Sequence, residues 1–142
     1  HRRTVKHAVY RPSWDDPRRL AFTRDLAEIA ICVTGAHYRA EFEWWAHSRF
    51  AHEEGVPEAI TEAIRLGQEP VFEDPKSKVV YDTARALNLR HKLSDAEFTE
   101  ARQVLGEEGL TDVIGLCGYY ALVSLTLNAY EVDTPDGSRA FE

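Results

Sequence analysis

Residues 113–130, VIGLCGYYALVSLTLNAY, form a run of eighteen positions without a charge. That is the lower limit for a helix that crosses a bilayer. The run carries two glycines, Ser, Thr, Asn and three tyrosines, and it is flanked by Asp112 and Glu131 rather than by Lys or Arg. Those features argue against a spanning segment. In a water-soluble protein, a helix that is apolar all round belongs at the centre of the fold. The expectation is therefore a bundle wrapped around this segment, with no membrane partner.

The remaining composition fits that picture. A chain of 142 residues, 44% hydrophobic and 29% charged, is long enough for one domain with its own core. A net charge of −7 disfavours bulk affinity for nucleic acid or anionic lipid. Two cysteines, Cys32 and Cys117, cannot build a disulfide framework, which points to a reducing, cytoplasmic location. The first residue is His and Met is absent, so residues are expected to precede His1. Residues 1–24 hold seven Lys or Arg against two Asp, broken by Trp14 and two prolines. They read as an irregular basic arm, bounded here at residues 1–19, that packs through Trp14 and Tyr10. Residues 20–132 read as the helical domain and 133–142 as a polar tail.

Helical periodicity begins at Phe22 and continues through Leu26, Ile29, Ala30 and Val33, with Gly35 read as an interruption. A second helix, at about residues 39–54, is expected to bury Phe42, Trp45, Ala46 and Phe50 and to stop at Gly55. Pro57 suits the first turn of PEAITEAIRLG, which ends at Gly67. A fourth helix covers about residues 75–89. Ser94 with Glu97 forms a capping-box start for a fifth, and residues 110–131 make the sixth. No stretch alternates with a period of two, so the fold class is all-α, a bundle of about six helices.

The chemistry concentrates in EFEWWAHSRFAH, residues 41–52. Glu43 and His47 are four apart and share a helical face. A carboxylate that orients an imidazole is a general acid/base pair suited to neutral pH. Trp44 and Ala51 lie on the same side and would keep the pair dry, which perturbs both groups. The competing reading is a solvated pair on an exposed face, and spacing alone leaves the two even. Glu28, inside LAEIAICV, either faces solvent or joins Glu43 and His47 in one proton network. A metal held by these three ranks below acid/base work, because no further ligand is indicated. His52 reads as a surface residue, whereas His37 stands near the break between helices and could face a pocket. Tyr119, Tyr120 and Asn128 are polar groups in an apolar helix, so they either brace the core or line a cavity. Cys32 and Cys117 lie on apolar stretches and read as inert core thiols. There is no Gly-rich phosphate loop, no paired-cysteine motif and no nucleophile elbow.

AEFEWWAHSRFAHEEGVPEAITEAI resembles the core motif of the carboxymuconolactone decarboxylase and alkylhydroperoxidase-like superfamily, with His47, Ala51 and Gly55 in its His-x-x-x-Ala-x-x-x-Gly pattern. LAEIAICVTGAHYRAEFEW is similar to the upstream helix of that family, and VIGLCGYYALVSLTLNAYEV to its last long helix. The resemblance covers about residues 20–132. Peroxidase members carry Cys-x-x-Cys ahead of this His, at positions that here are Ala40 and Glu43. The resemblance therefore does not carry thiol peroxidase chemistry.

It implies instead a decarboxylase-like lyase without a cofactor, in which Glu28 takes the place of the upstream Glu of the proton relay and Glu43 precedes His47 by four. The implied reaction is loss of carbon dioxide from a small carboxylated lactone or keto acid, followed by protonation of the dienolate carbon. His47, Glu43 and Glu28 are the candidate catalytic residues, and His37, Arg39, Tyr119 and Tyr120 the candidate substrate-binding ones. Arg24, Arg39 or Arg49 would face the anionic substrate. Trimers, or hexamers built from trimers, are also implied. The alternative is an inactive oligomeric subunit or small-molecule-binding protein of the same fold.

Overall fold

In a computed structural model the chain is helical, and Trp14, Asp16 and residues 19–142 are described. The rest of the basic arm, Tyr10 included, lies outside the described residues. Among the described residues five helices follow in order: α1 (Arg24–His37), α2 (Glu41–Glu53), α3 (Glu58–Arg65), α4 (Pro75–Arg90) and α5 (Asp95–Ala129). No strand occurs among the described residues.

The helix ends follow from local chemistry. Asp74 caps α4, accepting from the Lys76 and Ser77 backbone N–H groups, with Pro75 in the first turn. Ser94 and Glu97 close a reciprocal capping box at the start of α5. Both α2 and α3 stop where Gly55 (φ 94°) and Gly67 (φ 70°) turn left-handed. The next residues, Val56 and Gln68, then bond back to Ala51 and Ala63 at 2.9 and 2.8 Å. The end of α1 has the same bonding, Ala40 to Gly35 and Arg39 to Ala36, each at 3.0 Å. There the left-handed position is held by Arg39 (φ 51°), a residue that pays for a conformation glycine adopts freely.

Two of these expectations need correction here, and a third, the central place of residues 113–130, is corrected below. Gly35 does not interrupt α1, which runs on to His37; a Cβ at Gly35 would lie 3.4 Å from the Glu43 Cγ, so this is a point of close contact with α2. The expected fifth and sixth helices make up α5, two helical stretches that meet at Gly106, where the backbone leaves helical geometry (φ 74°, ψ 172°). Finally, α2 does not bury Phe42, Trp45, Ala46 and Phe50. It buries Glu43, Trp44 and Ala51, while Phe50 is 41% exposed. The inward face of α2 meets α1 at Glu28, and a buried carboxylate requires polar partners more strongly than the core requires more aromatic area.

The core is built by α1 against α2, α4 and α5. Ile31, Val80, Val113 and Leu116 are completely enclosed. Burial on this scale contributes about 1.5–3 kcal/mol for each such large side chain. Most of α1 is buried on every side, so α1, and not the apolar segment 113–130, is the central helix. α5 is one-sided: it is long and apolar enough to cross a membrane by length and composition, and half of its most apolar window is buried. Ile114, Leu122 and Leu125 stay exposed along it. Trp14 lies against Gly115 of α5, and the Ala21 N–H donates to buried Asp112 at 2.9 Å.

Residues 133–142 are not a free tail. The Glu41 carboxylate accepts from the Ala140 and Phe141 backbone N–H groups at 2.7 and 3.1 Å. The Trp45 indole N–H donates to Asp136 at 3.0 Å, and the Phe141 ring packs on Trp44 at 5.5 Å. The segment straps the outer aromatic side of α2.

Candidate functional site

Glu28 stands mid-way along α1, where its neighbours on both sides are buried. Its side chain is 1% exposed. A lone carboxylate there would carry a heavy desolvation cost, so its partner defines the site. That partner is His47, whose Nδ1 lies 2.7 Å from Glu28 Oε2. With Glu28 ionised, the Nδ1–H donates, and this bond fixes both the ring orientation and the tautomer.

The other edge of the ring faces Glu43, one turn earlier on α2. Glu43 Oε1 lies 3.1 Å from His47 Nε2, near enough for an ion pair. The two atoms are out of line for a hydrogen bond, which leaves that buried oxygen without a hydrogen-bond partner. Burial pushes the Glu43 carboxyl above its ordinary range; the His47 charge opposes the rise and the Glu28 charge adds to it. One imidazole thus lies between two buried carboxyl groups, one at each ring nitrogen. Glu28 is the orienting group. Glu43 is the carboxyl whose protonated form burial favours.

The walls around this unit are aromatic. Tyr120 of α5 meets the His47 ring edge-to-face at 5.0 Å, and Phe50 does the same from the outer side at 5.4 Å. Tyr119 reaches the site only through Tyr120, at 5.1 Å. The His47 side chain keeps 14% of its surface open, so the unit is largely dry yet reachable. Among the described residues no group of three or more His, Cys, Asp or Glu side chains is arranged to hold a metal ion. In the Glu28–His47–Glu43 unit each carboxylate turns to a ring nitrogen rather than to a shared point.

The remaining candidates lie elsewhere. His37 and Arg39 line a separate cavity of about 360 Å³ between α1, α3 and α4, and neither Glu28, Glu43 nor His47 lines it. Arg24 pairs with Glu54 at 3.0 Å. Arg49 lies over the Trp45 ring at 4.4 Å and reaches Asp136 at 3.5 Å. Asn128 braces the fold by donating to the Tyr38 carbonyl at 2.8 Å. His52 is exposed and bonds Thr61 at 2.7 Å. Both cysteines are buried and free. Burial, with Glu28 and Glu43 adding to it, pushes the Cys32 thiol well up, and burial pushes Cys117 up to about 11.

Phe50 was not marked as a site residue by the sequence, although its place three after His47 puts it on a neighbouring part of the same helix face. The partners of Arg39 in its cavity, Arg85 and Phe141, come from distant segments and carry no shared motif.

No family model, curated protein or solved structure matches the chain.

Proposed function

We propose that the chain is a general acid/base enzyme that needs no cofactor and acts on a small carboxylated lactone or keto acid, releasing carbon dioxide and protonating the carbon left behind. The observation that supports this most directly is the His47 ring held between Glu28 at 2.7 Å and Glu43 at 3.1 Å, all three nearly enclosed. His47 carries the proton that moves. Glu28 holds the ring. Glu43, whose carboxyl favours its protonated form more than an exposed one does, replenishes or accepts that proton.

Decarboxylation of such an acid leaves an electron pair that must be delocalised into a neighbouring carbonyl or double bond. The substrate is accordingly a β-keto or β,γ-unsaturated acid. The carboxyl carbon departs as carbon dioxide, the electron pair forms an enolate, or a dienolate where a conjugated double bond extends it, and one proton from His47 quenches it. A dry aromatic surround, Tyr120 and Phe50, strengthens the electrostatic interactions of that step.

The exposed Ile114, Leu122 and Leu125 of α5 support a second part of the reading, a homo-oligomer in which copies of this chain cover that stripe.

The functional reading is tested by NMR of the His47 ring while carboxylated γ-lactones and β-keto acids are added. Ring signals that move on adding an acid, and that stay put with its methyl ester, support the site. Ring signals indifferent to every acid contradict it.

A further inference from the structure

The cavity between α1, α3 and α4 is lined by three arginines, Arg39, Arg65 and Arg85, and by no Asp or Glu. That is unusual in a chain with net charge −7. Arg65 is satisfied, since Glu62 grips it at 2.6 and 2.9 Å and the Ala140 carbonyl accepts from it at 2.8 Å. The other two are not. Among the described residues neither Arg39 nor Arg85 has a carboxylate partner: Arg39 donates to the Phe141 carbonyl, and Arg85 donates to the Tyr81 hydroxyl at 2.8 Å. Both side chains are exposed, and a guanidinium has five N–H donors, so most donors of both heads face water and are open to a ligand.

A second observation is independent of the charges. Arg39 occupies the left-handed position that closes α1, at φ 51°. Glycine is the low-cost residue at such a position. His91 and Glu131 hold the same position after α4 and α5, at φ 65° and 51°; what sets Arg39 apart is that its side chain lines the cavity.

The other walls define the ligand. Val33, Ile64 and Leu89 with the Phe141 ring form an apolar side, and Asn88 adds a buried amide. The Asn88 Nδ2 is committed to Thr34 and to the Ala84 carbonyl, at 3.1 and 2.9 Å. His37 is held below the ordinary imidazole value by burial and by His91, so it adds a neutral ring rather than a further charge. A volume of about 360 Å³ suits a ligand of small-molecule size.

We propose that this cavity is a second binding site, separate from the Glu28–His47–Glu43 unit, for a small carboxylate with an apolar body, its head held between Arg39 and Arg85. Two planar guanidiniums match the two oxygens of a carboxylate. The apolar wall takes the rest of the ligand. The site does not depend on the decarboxylase reading, because none of its lining residues belongs to that unit.

Calorimetric titration of the whole chain with benzoate and with benzamide, its neutral counterpart of equal size, tests the assignment. Benzoate is expected to bind in the micromolar-to-millimolar range and benzamide at least about tenfold more weakly, the worth of a charge-assisted hydrogen bond. Arg39→Gln and Arg85→Gln should each weaken benzoate by a similar factor, with melting curves confirming that the variants fold. His47→Gln should bind benzoate as the wild type does. Equal binding of benzamide, no heat with benzoate, or undiminished binding in folded arginine variants would overturn the proposal. Loss of benzoate binding in His47→Gln would place the ligand at the other site and overturn it too. Should an arginine variant fail to fold, the wild-type comparison of benzoate with benzamide still decides.

Discussion

Glu28 on α1 and His47 on α2, nineteen positions apart in the chain, meet at 2.7 Å through Oε2 and Nδ1 with the carboxylate almost completely enclosed. This contact joins folding to chemistry, since the same bond that satisfies a buried carboxylate also aims the imidazole. Glu28→Ala takes the buried Nδ1 partner from His47 and should cost about 3–5 kcal/mol. Glu28→Gln keeps an oxygen for the ring N–H and should cost only about 1–2 kcal/mol. Urea denaturation of both variants checks the order. Equal, small losses would show that the contact is not structural.

The raised Glu43 carboxyl has a consequence for stability against pH. A carboxyl that is harder to ionise in the folded chain than in the unfolded one binds the extra proton when folded. Stability is then lost as pH rises from the ordinary carboxylate range through the folded value. Glu43→Gln removes that loss. The variant should gain on the wild type as pH rises through this window, read from melting temperatures. A constant difference between the two profiles would contradict the assignment. His47→Gln removes the one charge that lowers Glu43 and should widen the window.

How much of this was legible in the sequence depended on whether the signal was local. The Ser94–Glu97 capping box and the stops at Gly55 and Gly67 are local, and they stand where the residues indicate. The Glu43–His47 pair was visible for the same reason, being one turn apart. The inward face of α2 was not legible. Phe42, Trp45 and Phe50 look like a core stripe by hydrophobicity, but a buried Glu28 across the helix interface draws the polar side inward, and no spacing within α2 records that. The strap of residues 133–142 was equally hidden: TPDG reads as a polar end, while Phe141 and Asp136 find partners in Trp44, Trp45 and Glu41 some ninety to a hundred positions away.

Two glycines with opposite surroundings provide a packing test. A Cβ at Gly115 would lie 1.7 Å from the Trp14 ring, whereas one at Gly35 would make ordinary contact at 3.4 Å. Gly115→Ala should destabilise by about 1–3 kcal/mol through overpacking. Gly35→Ala should be neutral or stabilise by up to about 1 kcal/mol through helix propensity. Trp fluorescence should shift in the first variant and not in the second. The reverse order would mean that Trp14 does not rest on α5.

The thiols are expected to be silent. Cys32 and Cys117 are enclosed and their thiols resist ionisation, so the reactive thiolate is scarce at neutral pH. Iodoacetamide should leave the native chain unmodified and label both positions in urea. A Cys32→Ala, Cys117→Ala variant should retain its turnover. Fast native labelling, or loss of turnover in a folded variant, would relocate the chemistry to sulfur.

The proposed assembly rests on the exposed stripe of α5. Light scattering at micromolar concentration should give a homo-oligomer, and a Leu122→Glu, Leu125→Glu variant should dissociate. A wild-type monomer of 16.2 kDa would refute the assembly.

The central claim, that His47 moves a proton between Glu43 and a substrate carbon, is tested most directly by the initial rate of carbon dioxide release from carboxylated γ-lactones and β-keto acids. The wild type should accelerate release from at least one of them, and folded His47→Gln should be slower by at least about tenfold, as expected on losing general acid/base catalysis. An unchanged rate in His47→Gln, or no acceleration of any of these acids by the wild type, would contradict the claim.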